Sequence, residues 1–461
     1  MQAWPVIPDE AQQVVTRVLS SGKINYWTGD ECRAFEQEFA SALGGAHALA
    51  VANGTLALEL ALRAFGIGEN GRADEVIVPS RTFIATAGAV VAVGATPVIA
   101  DIDPDTNCLT ALSVAKVVTP RTRAVIVVHL GGYPAPMDAL LNLTNQLEGV
   151  RVIEDCAQAH GALFRGRPAG TIGDAGCYSF CQEKVLPLGE GGMIVFRDGE
   201  DSEGAYERAW AYRDHGRSWA KAHNAGVAGA SSEFRYLNDS FGTNARLPEL
   251  EGALGRALLP YLPAWHEERA RNARGLCEEL AGYVRAGVLR MLDIPEEEAA
   301  MGTEHAYYRL YALLDTGALR EGWSRNRVID EINERAVRAG IDIGVAQYGS
   351  CACLWREAAF ANAGFVVPDG GVVPDGGVVP DAVPSGASIA DVMPGASAGA
   401  GAVPCAAMGS TAAATTTMPG ALTADAGSIA FFTDPSRDEA CMCRAAACVR
   451  EVLKEATGVC V

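Results

Sequence analysis

The sequence predicts an α/β protein built on a mostly parallel sheet with helices on both faces. Three observations carry that expectation. Between residues 75 and 196, short β-branched runs alternate with helical stretches, the pattern of strands joined by crossover helices. The strand runs are continuously apolar, as strands buried on both faces are. A chain of 461 residues, 49% hydrophobic and 20% charged, has the length and composition of a soluble protein with a large core, split into two domains or two lobes.

Residues 1–25, opening "MQAWPVIPDEAQQVV", form an N-terminal segment with neither a basic leader nor an unbroken apolar run, and no later stretch reaches the ~18 apolar residues of a membrane span. "VANGTLALELALRAFGI" reads as an amphipathic helix entered through Asn53, Gly54 and Thr55. Strand, helix and strand follow in "DEVIVPS", "FIATAGAVVAVG" and "TPVIADID". "RAVIVVHL", "MDALLNLTNQLEG" and "VRVIED" repeat that order, and "GDAGCYSF" and "GEGGMIVF" supply two more strands. In such sheets ligands collect at the carboxyl ends of the strands.

After residue 260 come a charged helix, "PAWHEERARNARGLCEELAGYV", and a β-rich stretch, "EHAYYRLYALL". The expected organisation is a large domain over 26–259 and a smaller α+β domain over 260–461. A low-complexity insertion at about 364–428, with the repeat "VVPDGGVVPDGGVVPDAV", interrupts the latter. That insertion has few aromatics and no amphipathic period, so its burial would not offset the entropy of ordering it, and it is expected to be disordered. "DEACMCRAAACVREVLKEATG" returns to helix.

The formal charge of −19 excludes broad binding to nucleic acid or anionic lipid, so any phosphate must sit in a local pocket. Thirteen cysteines, an odd number scattered through core-like segments, fit reduced thiols of a cytoplasmic protein. The pairs Cys351/Cys353 and Cys441/Cys443 are spaced too closely for a structural zinc site, and no metal is expected.

The chemistry centres on "SFCQEKVLPLGEGG", where Lys184 stands between an apolar strand end and a glycine-permitted turn. A lysine desolvated in a cleft can lose its proton and form an imine with an aldehyde cofactor, which points to pyridoxal 5′-phosphate. Three supports are then required. An acid beside the pyridine nitrogen keeps the ring an electron sink, and Asp155 closes the strand "VRVIED". A phosphate cup is offered by Asn53, Gly54 and Thr55 at a helix N-terminus. Phe83, after a strand in "PSRTFIATA", could stack on the ring.

Six ordered stretches, "NYWTGDECRAFEQEFA", "NGTLALELALRAFGIG", "DEVIVPSRTFIATAGAVVAVGATPVIADID", "VIEDCAQAHGA", "GDAGCYSFCQEKVLPLGEGGMIV" and "GTNARLPELEGALGR", resemble the successive motifs of the DegT/StrS sugar aminotransferases over about residues 20–275. The resemblance implies the aspartate-aminotransferase-like fold (fold type I) and a homodimer with shared active sites. It implies transfer of an amino group, with glutamate as donor, to a nucleotide-linked keto-sugar. By position, Lys184 matches the Schiff-base lysine, Asp155 the pyridine-nitrogen partner and Gln158 the glutamine near the ring hydroxyl. Gly54, Thr55 and Ser179 match phosphate contacts, Phe83 the stacking aromatic, and Asn244 an asparagine that reaches the phosphate from the partner subunit.

The chain departs from the pattern in Leu247, where methionine is usual, in extra loop residues at "ENGRADEV", and in the insertion, which puts the substrate-side loops in doubt. Two alternatives remain open: a dehydratase or related carbon–nitrogen enzyme, and a cofactor-binding regulatory protein without turnover. Members acting as 3-dehydratases are expected to replace the lysine with histidine, so Lys184 favours transfer.

Overall fold

The structure is a computed structural model and describes residues 4–45, 47–199, 201–223, 237–341, 345–347, 352–362 and 418–461. Its central sheet contains β1 (His47–Val51), β2 (Glu75–Pro79), β3 (Thr96–Ala100), β4 (Thr122–Val128), β5 (Arg151–Asp155), β6 (Ala175–Ser179) and β7 (Gly192–Phe196), in the spatial order β1-β7-β6-β5-β4-β2-β3. Strands β2 to β6 run parallel. β7 is antiparallel to β6, and β1 to β7. The reversal has a local cause. The helices Ala85–Ala92 and Met137–Thr144 lie on the crossovers after β2 and β4, whereas the link from β6 to β7, residues 180–191, carries no helix and turns straight back.

Both faces are covered, and that explains the continuous apolar runs. Val76, Val78, Ile126 and Ile153 pack in one core with the helix Gly54–Ala64, while their neighbours Ile77, Val125, Val127 and Val152 pack with Leu140 and Leu143 in another. Successive strand residues point to opposite faces, so each face needs its own apolar set.

A second sheet, β8 (Leu289–Leu292), β9 (Leu310–Leu314), β10 (Ala346–Gln347) and β11 (Ser428–Phe431), is ordered β8-β9-β11-β10 and wholly antiparallel. One face shares a separate core with the helices Leu262–Arg285, Arg325–Arg338 and Glu439–Thr457, while Leu292, Tyr311, Leu313 and Ala430 join the core of the large sheet. Only the second half of "EHAYYRLYALL" is strand. Ahead of it, Tyr307 takes a φ of 48°, and the N–H groups of Ala306 and Arg309 donate to the Gly132 and Gly131 carbonyls of the large sheet's β4 loop.

Two expectations are corrected. Residues 364–417 of the expected disordered insertion lie outside the described residues, but its C-terminal end is folded: Pro419–Gly427 form a helix and Ser428 opens β11. Asp101 accepts hydrogen bonds from Gly420 N–H at 2.9 Å and Ala421 N–H at 3.0 Å. A Cβ at Gly420 would collide with the Ile102 carbonyl. The small residues that read as unable to pack are what let this helix lie against backbone.

Residues 352–362 and 418–427, placed on sequence in the small domain, join a core that both sheets share. Ala352 and Cys353 pair with Thr82 and Arg81, and Leu354, Phe360, Ala421 and Ala424 join the core of β2 and β4. No helix of the described residues is long and apolar enough to cross a membrane.

Candidate active site

A cavity of about 410 Å³ opens at the carboxyl ends of β4, β5 and β6, bounded by Val128, Asp155 and Ser179. It lies where the sheet order switches, β2 connecting outward to β3 while β4 continues on the other side. Lys184 lines it from the β6–β7 link. That link is held tightly: Phe180 N–H donates to Gly191 O, Gln182 N–H to Gly189 O and Lys184 N–H to Cys181 O, at 2.8 to 2.9 Å. Gly189 and Gly191 take φ of 90° and 143°, open to glycine. Buried Val185 and Leu186 anchor the far side. From the N-terminal segment, the Trp4 indole N–H donates to Lys184 O at 3.1 Å.

Asp155 ends β5 inside the cavity and is 6% exposed. Burial raises its carboxyl above the usual range; the Ala157 N–H at 3.1 Å on Oδ1, the Thr86 hydroxyl at 2.9 Å on Oδ2 and the Lys184 ammonium oppose that rise. Behind it, Glu154 accepts N–H bonds from Gly170, Ile172 and Gly173 at 2.6 to 2.8 Å and meets His129 Nε2 at 3.0 Å. His129 Nδ1 accepts from Ala135 N–H at 3.0 Å. His129, Glu154 and Cys156 lie close enough to hold a metal ion, yet the carboxylate and imidazole are already engaged, so this trio reads as a brace for the end of β5.

Asn53 caps the helix Gly54–Ala64, its side chain accepting from Leu56 N–H at 2.9 Å. Gly54 and Thr55 line the cavity beside Ser179, and a Cβ on Gly54 would stand 2.7 Å from Ser179 Cβ. Uncapped N–H groups, a helix dipole and a hydroxyl thus share one corner suited to a phosphate. Gln158 lines the wall, with its Oε1 accepting from Gly131 N–H at 2.7 Å. Phe83 is 55% exposed, an unusual state for a phenylalanine, and faces the cavity where a flat ring would cover it.

Eight of the nine residues singled out from the sequence, Asn53 included, therefore meet in one cavity. Asn244 does not line it; it is exposed and backbone-bridged to Asp214.

Sequence reasoning missed three residues. Thr82 and Thr86 line the cavity, their hydroxyls 2.9 Å apart, and Thr86 reaches Asp155. Tyr308, just ahead of β9, brings its ring centroid to 5.0 Å from Lys184 Nζ. Thr82 and Thr86 sit in the quoted "RTFIATA" but carry no signal of chemistry alone, and nothing local ties residue 308 to Lys184.

The residues fit pyridoxal phosphate: an amine, a buried carboxylate, a small-residue anion corner and an exposed aromatic face share one enclosed space. Comparison with known proteins agrees. The profile of the DegT/DnrJ/EryC1/StrS aminotransferase family matches residues 5–347. The chain is 40% identical over 302 residues to the UDP-N-acetyl-3-dehydro-alpha-D-glucosamine 3-aminotransferase of Acidithiobacillus ferrooxidans, covering 65% of this chain and 73% of that protein. It is 36% identical over 329 residues to the L-glutamine:2-deoxy-scyllo-inosose aminotransferase of Streptomyces paromomycinus, covering 68% and 72%. Its fold is similar to the X-ray structure of the aminotransferase from Psychrobacter cryohalolentis, with a TM-score of 0.80, 35% identity and 99% of both chains covered. A family match over residues 5–347, on a fold similar at a TM-score of 0.80 and 35% identity, makes this chain a member of the DegT/DnrJ/EryC1/StrS aminotransferases, a pyridoxal-phosphate-dependent transaminase.

Proposed function

We propose that this chain moves an amino group from glutamate to the keto group of a nucleotide-linked sugar. The observation that carries the reading is the meeting of Lys184, Asp155 and the Gly54–Ser179 corner in one cavity. The Acidithiobacillus relative, named for a UDP-linked keto-sugar, supports the acceptor class. When bound, the cofactor supplies an aldehyde that takes up and hands on the amino group and a ring that withdraws electrons. Lys184 would hold it covalently through Nζ; once displaced by the donor's amine, that Nζ would take the proton that the donor's α-carbon gives up and, in the second half-reaction, deliver a proton to the acceptor carbon that receives the amine. Asp155 would hold the ring nitrogen in its protonated form. Gly54, Thr55 and Ser179 seat the phosphate, Phe83 covers one ring face, and Gln158 meets the ring hydroxyl.

The working unit in this reading is a cytoplasmic homodimer in which Asn244 of each chain serves the other chain's site. Its exposure, away from its own chain's cavity, supports that arrangement. A second acceptor class, a free keto-cyclitol with glutamine as donor, is favoured by the name of the Streptomyces relative and by the Glu183 and Glu190 carboxylates on the cavity wall, which do not favour a diphosphate.

The test is to incubate the protein with glutamate or glutamine and a panel of nucleotide keto-sugars and keto-cyclitols, and to read the products by mass. Aminated nucleotide sugar is the expected product; amination of the free cyclitol alone would select the second class. Borohydride reduction followed by peptide mapping should place the cofactor on Lys184. Attachment to another lysine would overturn the assignment, and cofactor binding without turnover of any acceptor would favour a regulatory role.

A further inference from the structure

We propose that Thr86, supplied by Thr82, is a positioning residue that holds Asp155 as the charged, correctly turned partner of the cofactor's ring nitrogen. The proposal rests on the reading that Asp155 faces that nitrogen. Its ground is the direction of the protons. A carboxylate only accepts, so the single proton of Thr86 Oγ1 must point at Asp155 Oδ2, 2.9 Å away. Thr82 Oγ1, 2.9 Å from Thr86 Oγ1, must then be the donor in that second contact. Each carboxylate oxygen thereby receives one fixed donor, Thr86 on Oδ2 and the Ala157 N–H on Oδ1. That sets the plane of the group and leaves further lone pairs for the ring. Thr82 and Thr86 are 3% and 1% exposed, so water does not substitute for either hydroxyl.

The pair is itself anchored from a distant part of the chain. Thr82 pairs with Ala352, and the neighbouring Arg81 donates from Nη2 to Ser428 Oγ at 3.0 Å. The donor that reaches Asp155 is therefore oriented by segments on both sides of residues 364–417.

Thr86→Val keeps the shape of the side chain and deletes the donor. The test loads Thr86→Val, Thr86→Ser and Asp155→Ala proteins with ¹⁵N-labelled pyridoxal phosphate and reads the ring-nitrogen chemical shift. Cofactor affinity and the rate of the glutamate half-reaction are measured alongside. Thr86→Val is expected to move the ring nitrogen towards the unprotonated value and to slow the half-reaction by roughly 10- to 100-fold, the usual worth of a hydrogen bond to a buried charge. Thr86→Ser should restore both, since it restores the hydroxyl. If the valine variant does not fold, Thr86→Ala makes the same deletion. A ring signal unchanged in Thr86→Val, or in Thr86→Ala, but displaced in Asp155→Ala would overturn the proposal and leave the role of Asp155 standing. A signal unchanged in Asp155→Ala would sink that role, and the proposal with it.

Discussion

Gly54 shows how little space a functional residue can leave for change. A side chain there would press on Ser179, with Cβ atoms 2.7 Å apart, so Gly54→Ala must displace either the helix start or the end of β6. The expected cost is about 1–3 kcal/mol of stability, as for other overpacked sites. Cofactor affinity should fall by at least about tenfold, because a kinked corner no longer aims its N–H groups at one point. Spectrophotometric titration with pyridoxal phosphate measures this, and unchanged affinity would mean that the phosphate sits elsewhere.

Two buried histidines contribute to the loss of stability in acid. Burial, with the Lys184 charge nearby, pushes His160 down to about 3, and burial with His266 does the same to His305. Both are neutral in the folded chain at pH values where the unfolded chain would protonate them. The stability they permit is present above the ordinary imidazole value, about 6.5, and is lost progressively as pH falls from there towards 3. His160 lies between Tyr178 and Phe180, with ring centroids 5.3 and 5.6 Å away. His160→Phe should therefore shrink the drop in Tm between about pH 7 and about pH 5. An equal drop in both proteins would show that His160 contributes nothing to it.

Among the elements, the helix Pro419–Gly427 separates two readings of the low-complexity stretch. Replacing residues 366–417 with a short Gly–Ser linker is expected to change thermal stability by no more than about 1 kcal/mol, since loop closure varies slowly with loop length. Extending the replacement through residue 427 should lower Tm markedly, because it strips Ala421 and Ala424 from the first core and the N–H donors from Asp101. Gly420→Val tests the same contact with one substitution, since its side chain would strike the Ile102 carbonyl. Calorimetry reads all three, and a Tm unmoved by Gly420→Val would refute the packing. The helix also explains a compositional misreading: alanine and glycine add little apolar area, but they let helix backbone approach strand backbone closely.

For the molecule as a whole, the open question is whether one chain makes a complete site. Lys184→Ala and Asn244→Asp homodimers should each be nearly inactive, the first without the reacting amine and the second with a carboxylate beside the cofactor phosphate. Mixed and allowed to exchange, they should recover activity approaching one working site per heterodimer, because one of the two sites then carries neither defect. Exchange shown by mass, with no activity regained, would rule out sharing through Asn244. Tyr308, just ahead of the second sheet's β9, reaches the cavity with its ring 5.0 Å from Lys184 Nζ, so a shift of that sheet against the first would alter the surroundings of the reacting amine directly.

The parallel core, and most of the residues that gather in the candidate site, were legible in the chain alone. Apolar runs such as "AVIVV" and "RVIED" declare strands buried on two faces, and Asp155, Ser179 and Lys184 follow strands as local punctuation, so ordered motifs suffice to find them. Which groups orient those residues is legible only once the chain is folded. Thr86 lies 69 residues from Asp155, and Trp4 lies 180 from Lys184. Tertiary packing likewise places residues 352–362 and 418–427 in a core that both sheets share. The physical reason is common to all of these contacts: each pairs groups on separate elements, whose meeting is set by how sheets and helices stack and leaves no periodicity in the chain to read.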